Sequence, residues 1–154
     1  MAEKIASINK FLIFKIENEE YGIDINRIRE IIGIQKITPL PNASGSLKGV
    51  INLRGTIVPV IDVRQEFNMK QKEYDYETSI IVTQINEKLV GLIVDSVSEV
   101  LDIPPEAIEK LPEIEQRKEN SFITGIAKAG DNIKILIDVE KLYKNHGQYN
   151  NLTN

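Results

Sequence analysis

A chain of 154 residues, 42% apolar and 27% charged, has the balance of a globular protein and is long enough for one ordinary domain or two very small ones. Its formal net charge is −4 and no run of Lys or Arg exceeds two residues, so it lacks the concentrated basic face that phosphate binding wants, and no nucleic-acid partner is expected. It has no cysteine, which excludes a disulfide framework, thiolate zinc ligation and a cysteine nucleophile, and suits a reducing cytosol.

The N-terminal MAEKIASINK lacks the apolar core of a signal peptide. Strand signals follow. KFLIFKIE (10–17) and EYGIDI (20–25) flank a polar turn and read as a hairpin. The aliphatic stripe Ile23, Ile25, Ile28, Ile31, Ile32 and Ile34 reads as a strand followed by a short turn or helix, with more isoleucine than a small barrel interior can hold. Asn42-Ala43-Ser44 matches the glycosylation acceptor pattern by chance, as does Asn151-Leu152-Thr153. GVINLRG (49–55) and TIVPVID (56–62) are two strands with Arg54 at the corner between them, and Pro59, without an amide hydrogen, belongs at an edge or a bulge.

DVRQEFN (62–68) is a short helix for which Asp62 is a plausible N-cap. The polar NMKQKEYDYE (68–77) is the natural boundary. Beyond it TSIIVTQI (78–85) and KLVGLIVD (88–95) form a second hairpin around Asn86-Glu87. The apolar window LVGLIVDSV is broken by Asp95 and falls short of the ~20 residues that span a bilayer, so no direct membrane insertion is expected. PEAIEKL (105–111) is a further helical candidate, followed by the charged connector PEIEQRKEN (112–120). The strands SFITGIAK and NIKILID come next, and DVEKLYKN (138–145), capped by Asp138, gives a helix near the C-terminus.

The chain repeats itself. Residues 11–32 overlie 80–101 without a gap, matching Gly22 to Gly91, Ile25 to Val94, Ile28 to Val97 and Glu30 to Glu99. Residues 49–67 overlie 125–143, matching Gly49-Val50 to Gly125-Ile126 and Ile61-Asp62-Val63 to Ile137-Asp138-Val139. This predicts two similar β units of about five strands each, approximately 11–67 and 78–145, closed into small barrels to remove exposed edges. Each is too small to be robust alone. Whether the N-terminal strand or the C-terminal helix crosses between them is left open by the sequence.

No catalytic constellation is present. The single histidine, His146, sits in a polar tail, and with no cysteine a transition-metal site is not expected. There is no nucleophile elbow, phosphate-binding glycine loop or dinucleotide fingerprint. Asp62, Asp95 and Asp138 stand at strand ends, where capping accounts for them. No cofactor and no metal are expected.

Two features remain. Glu30 and Arg54 carry charge among residues that want burial, and a guanidinium is tolerable there when it forks onto a carboxylate. The alternative for each is a solvent-facing position on an alternating strand. The stripe after Ile23 either packs a core or floors a groove in which a partner's helix docks, with Val94 and Val97 opposite.

YGIDINRIREIIGIQKITPLP, LKGVINLRGTIVPVIDV and VGLIVDSVSEVLDI together resemble the CheW family of bacterial chemotaxis coupling proteins, over a span from about Phe11 to Tyr143. The resemblance implies an all-β fold of two SH3-like five-stranded barrels packed together, with short helices, making up a single CheW-like domain over 1–154. It implies a cytoplasmic adaptor without a catalytic site, recruited to membrane-associated receptor arrays, where it joins the helical cytoplasmic tips of methyl-accepting chemoreceptors to the regulatory domain of the histidine kinase CheA. By motif position it makes Glu30 and Arg54 a structural ion pair. It assigns Leu12, Ile25, Ile28, Ile31 and Val97 to a receptor-binding groove. It puts kinase contacts at barrel ends and edges without naming residues. An end at Asn154 leaves no room for a kinase core or a receiver domain, which favours the stand-alone coupling protein. The rivals are a small β-barrel enzyme or ligand sensor with a site in the cleft between barrels, and a peptide-binding barrel of another kind, for which aromatics at 6% and no tryptophan give little support.

Overall fold

The computed structural model describes residues 9–41, 45–111, 122–129 and 131–144. The readings made at 1–8, 42–44, 112–120, His146 and 151–153 lie outside them. Runs of β-branched and aromatic residues bounded by turn residues become strands. They are β1 (Lys10–Ile16), β2 (Glu19–Asp24), β3 (Ile28–Gly33), β4 (Leu47–Leu53), β5 (Thr56–Asp62), β6 (Ser79–Ile85), β7 (Lys88–Val94), β8 (Ser96–Asp102), β9 (Ile108–Glu109), β10 (Ile123–Ala129) and β11 (Asn132–Ile137). The helices are α1 (Val63–Glu66) and α2 (Val139–Lys144), with single 3-10 turns at Ile25–Arg27 and Pro105–Ala107. Asp62 and Asp138 cap α1 and α2 as expected, their Oδ1 atoms accepting from the amides of Gln65 and of Glu140 and Lys141.

The helix expected over 105–111 does not form. Pro104 is extended at φ −68° and ψ 151°, the helical turn stops at Ala107, and Ile108–Glu109 pairs with β10 instead. A sheet partner outcompetes local propensity there. The segment 96–102 was not singled out as a strand and is one.

The chain divides into two units, residues 1–27 with 98–154, and residues 28–97. In the first, the sheet order is β8-β1-β2-β11-β10-β9; in the second it is β3-β6-β7-β5-β4. This differs from the contiguous halves 11–67 and 78–145. Each sheet takes its first hairpin from one repeat and its remaining strands from the other.

Connection length explains why. In the second sheet β3 is antiparallel to β6, and β6 to β7. If β8 took the place of its counterpart β3 beside its own hairpin, it would run parallel to β7, one strand away. A parallel return needs a crossover of about a dozen residues or more, whereas Asp95 alone separates β7 from β8. The three residues Ile25–Arg27 between β2 and β3 reach only about 10 Å, half the ~20 Å length of such a strand. Each third strand is therefore passed to the other unit.

The exchange preserves the repeat atom for atom in several places. The parallel pairing sets Leu136 against Gly22 in one sheet and Val60 against Gly91 in the other, which are counterparts. A Cβ on Gly22 would lie 2.7 Å from Leu136 Cδ2, and one on Gly91 would lie 2.8 Å from Val60 Cγ1. The backbone amides of Asp62 and Asp138 donate to the carbonyls of Ser46 and Phe122, both at 2.7 Å. The cores match too. Ile13, Ile103, Ala127 and Leu136, with Phe11 and Leu101 against them, stand where the second unit has Val82, Ile34, Ile51 and Val60, with Ile80 and Ile32.

Both sheets close through the segment after the third strand. In the second unit Thr38 and Val50 exchange backbone hydrogen bonds at 2.8 and 2.9 Å, joining the continuation of β3 to β4. In the first unit the same job falls to β9, which pairs Glu109 with Ile126, the counterpart of Val50. The six strands of that sheet are thus five plus their own closing segment, and the fold is all-β and of the SH3-like barrel kind. Pro59 is not at an edge, since β5 lies between β7 and β4. It faces Val50, whose amide and carbonyl are both turned to Thr38, and pairing with β7 begins only at Val60, so no partner asks for the missing amide hydrogen.

Candidate protein-binding site

The features that the sequence analysis singled out meet on β3, an edge strand of the second sheet. A register shift between Ile28 and Glu30 makes Arg29 an extra residue: Ile28 faces Thr83 and Ile31 faces Ile81. Thr83 and Ile81 are two apart on β6, so Ile28 and Ile31, three apart, share one face of the sheet. Without the bulge they would point to opposite faces. Ile31 is 43% exposed and Ile28 half-buried. Ile32, opposite Ile80, turns to the other face and packs against the barrel core, as does Ile34. Ile23 is fully buried.

Glu30, opposite Val82, sits on the core side at the rim of the barrel. Arg54 reaches it from the turn between β4 and β5, Nη1 donating to Oε1 at 3.2 Å and Nη2 to Oε2. β3 and β4 are the two ends of the sheet order, so the guanidinium clasps the barrel where it closes, beside a bond from Gln35 Nε2 to the carbonyl of Asn52 at 3.4 Å. The Arg54 hydrogen bond, aided by the charges of Arg54 and Arg29 and opposed by burial, holds the Glu30 carboxyl below the usual glutamate range. The clasp is not buried: the Arg54 side chain is 70% exposed and that of Glu30 29%. Arg54-Gly55 is a two-residue hairpin turn with φ of 50° and 90°, the primed type in which asparagine-glycine is the usual choice.

The other expected site residues are scattered. Ile25, in the 3-10 turn of the first unit, and Val97, on β8, are half-buried. Leu12 is 1% exposed. It belongs to a fully buried run on β1, which lies between β8 and β2, so it is a core residue and not part of a docking surface.

Sequence reasoning missed a second set of exposed apolar residues. Ile57 is 62% exposed, Ile133 53% and Val100 49%. Ile57 and Ile133 are counterparts in the repeat, and so are Ile31 and Val100. The signal was available in the alternation: Ile57 faces Asn52 and stands next to the core residue Val58, so it turns to the opposite face. Capping does not account for Asp95. Its carboxylate is the bidentate acceptor for the buried Arg64, at 2.7 and 2.6 Å.

Among the described residues no group of three or more His, Cys, Asp or Glu is placed to hold a metal ion. The resolved carboxylate shifts, at Glu30 and Asp75, are both downward, Asp75 chiefly through the backbone amide of Glu77. Such groups stay ionised and cannot act as general acids near neutral pH. Among the same residues no helix is long and apolar enough to cross a membrane. Exposed isoleucine on paired barrels, with charge used to clasp the scaffold, defines a protein-binding module.

The model of the CheW-like domain matches residues 10–146. The chain is 43% identical over 133 residues to the chemotaxis protein CheW of Klebsiella aerogenes, covering 86% of this chain and 80% of that one. It is 33% identical to the CheW of Bacillus subtilis over 138 residues, 90% of this chain and 88% of that one. The crystal structure of the scaffolding protein TtCheW from Thermoanaerobacter tengcongensis superimposes with a TM-score of 0.82 at 34% identity, covering 90% and 94% of the two chains. The chain belongs to the CheW-like family. It is a chemotaxis adaptor, not an enzyme.

Proposed function

We propose that this chain couples the helical cytoplasmic tips of methyl-accepting chemoreceptors to the regulatory domain of the histidine kinase CheA, and that it works in the cytoplasm on membrane-associated receptor arrays. The observation that carries the receptor half is the bulge at Arg29, which sets Ile28 and Ile31 on one face of an edge strand with Ile31 43% exposed. A receptor helix with apolar residues at helical spacing fits such a strip, an amphipathic helix on an apolar surface being a common mode of recognition. The family resemblance also assigns the half-buried Ile25 and Val97 to the receptor contact. For the kinase half, the repeat-related Ile57 and Ile133, near hairpin tips, suit the barrel-end contacts that the family resemblance implies.

Co-sedimentation of a receptor signalling fragment, the kinase and this chain tests the reading. Ile28→Glu and Ile31→Glu lower the amount carried down with receptor by about tenfold, the loss of one well-placed apolar anchor, while the thermal midpoint stays near that of the native chain. Unchanged receptor binding by both variants removes β3 from the site.

A further inference from the structure

The two repeats use opposite charges at matching helix positions and at neighbouring positions after the hairpin, Arg27 standing one residue beyond Asn26, the counterpart of Asp95. In the second unit Arg64 of α1 forks onto Asp95, immediately after β7, with side chains only 6% and 14% exposed. Its Nη1 also donates to the carbonyl of Lys70 at 2.8 Å. In the first unit Glu140 of α2 is the counterpart of Arg64, and it accepts from Nη2 of Arg27, just after β2, at 3.3 Å. The helix carries the cation in one unit and the anion in the other. A third contact is one-sided: Lys134 on β11 bonds Glu20 on β2 at 2.6 Å, both well buried. The counterparts of Lys134 and Glu20 are Val58 and Leu89, both packed in the apolar core of the second unit.

We propose that these contacts are a recognition code that makes each repeat accept the unlike repeat and refuse a like one offered by a second copy of the chain. Short connections forbid a repeat from pairing with itself within one chain, but they place no such limit on two chains. The third strand and helix of one copy could join the first hairpin of the same repeat in another. With two first repeats, Arg64 would then face the Arg27 of the second copy, and Glu20 would lie against Val58. With two second repeats, Glu140 would face Asp95, and Lys134 would be buried against Leu89. Like pairing therefore sets equal charges together at the helix and strands a charge between the parallel strands, both unfavourable. The unlike pairing satisfies all three positions. Copies held at high local concentration can then meet through their surfaces without exchanging strands.

The native chain has no cysteine, so disulfide trapping reads the pairing directly. Gly33 faces Ser79 across β3 and β6, and a Cβ at Gly33 meets nothing within 4 Å. The pair G33C/S79C reports the native sheet. Lys10 is the first-repeat counterpart of Ser79, so K10C/G33C reports two first repeats joined between copies, as a covalent dimer. The deciding background is R27E/E140R. It keeps an attractive bridge in the native pairing and turns both like pairings from repulsive to attractive. After refolding from urea at high protein concentration in a glutathione buffer, this background keeps the native urea midpoint, yet K10C/G33C dimer rises about fivefold, the response to a change of order 1 kcal/mol. The fourfold reversal R27E/R64E/D95R/E140R returns the dimer to the native level. If R27E/E140R folds poorly, R27E/E140Q gives the same reading, since its only new attraction is that of the carboxylate introduced at position 27 for Arg64 of the second copy. Dimer within twofold of the native level in the folded variant, or dimer that the fourfold reversal does not suppress, overturns the proposal and leaves the bridges as ordinary stabilising contacts.

Discussion

Arg54 holds a backbone conformation that favours asparagine or glycine, at φ 50°. An arginine there is explained by what its side chain reaches: Glu30, across the closure of the barrel. Two substitutions separate the roles. Arg54→Asn suits the turn and loses the clasp; Arg54→Lys keeps a charge and loses the fork. Both are expected to fold, with thermal midpoints close to native because the pair is exposed, and both are expected to loosen β3 and lower receptor coupling. The clasp also carries a pH signature. A carboxyl whose folded pKa is depressed adds stability that is complete above its ordinary value of 4.5 and disappears as pH falls through the folded value. The difference in thermal midpoint between the native chain and Glu30→Gln, measured along an acid titration, is therefore small at neutral pH and closes below that range. A difference that grows on acidification contradicts the assignment.

At the scale of elements, hairpins were the most legible part of the sequence. The β1–β2, β4–β5 and β6–β7 pairs and the capped helices lie where turn residues and alternation put them. Strands β8 and β9 were not legible, because their pairing partners are distant in sequence and their own pattern is mixed. The bulge at Arg29 was invisible for the same reason, since register is a property of two strands. Leu12 illustrates the limit: an apolar residue on an apolar strand reads alike whether the strand is central or at an edge. Two contacts of the elements make firm predictions. Asp95→Ala leaves the Arg64 guanidinium buried without its forked partner and costs about 3–5 kcal/mol. Gly22→Ala and Gly91→Ala place a methyl group 2.7 and 2.8 Å from side-chain carbons and each cost about 1–3 kcal/mol. Urea titration measures all three; equal midpoints for the two glycine variants and the native chain would show that the strand approach is not tight.

For the whole molecule, the internal repeat was readable and the exchange of strands between its halves was not stated by any single residue. It follows from connections of three residues and of one, which cannot return a strand to its own sheet. The consequence is that both units need both repeats, so the barrels form together, and the surfaces they offer are linked copies of one another. Ile31 and Val100, and Ile57 and Ile133, are exposed at matching positions for that reason. A doubled surface suits the proposed role of holding two partners at once. The direct measurement is CheA autophosphorylation with a receptor signalling fragment, with and without this chain. The account predicts that kinase activity responds to receptor only when the chain is present, and that Ile31→Glu abolishes the response while leaving the fold intact. Receptor control of the kinase in the absence of the chain, or undiminished control with Ile31→Glu and Ile28→Glu, would contradict it.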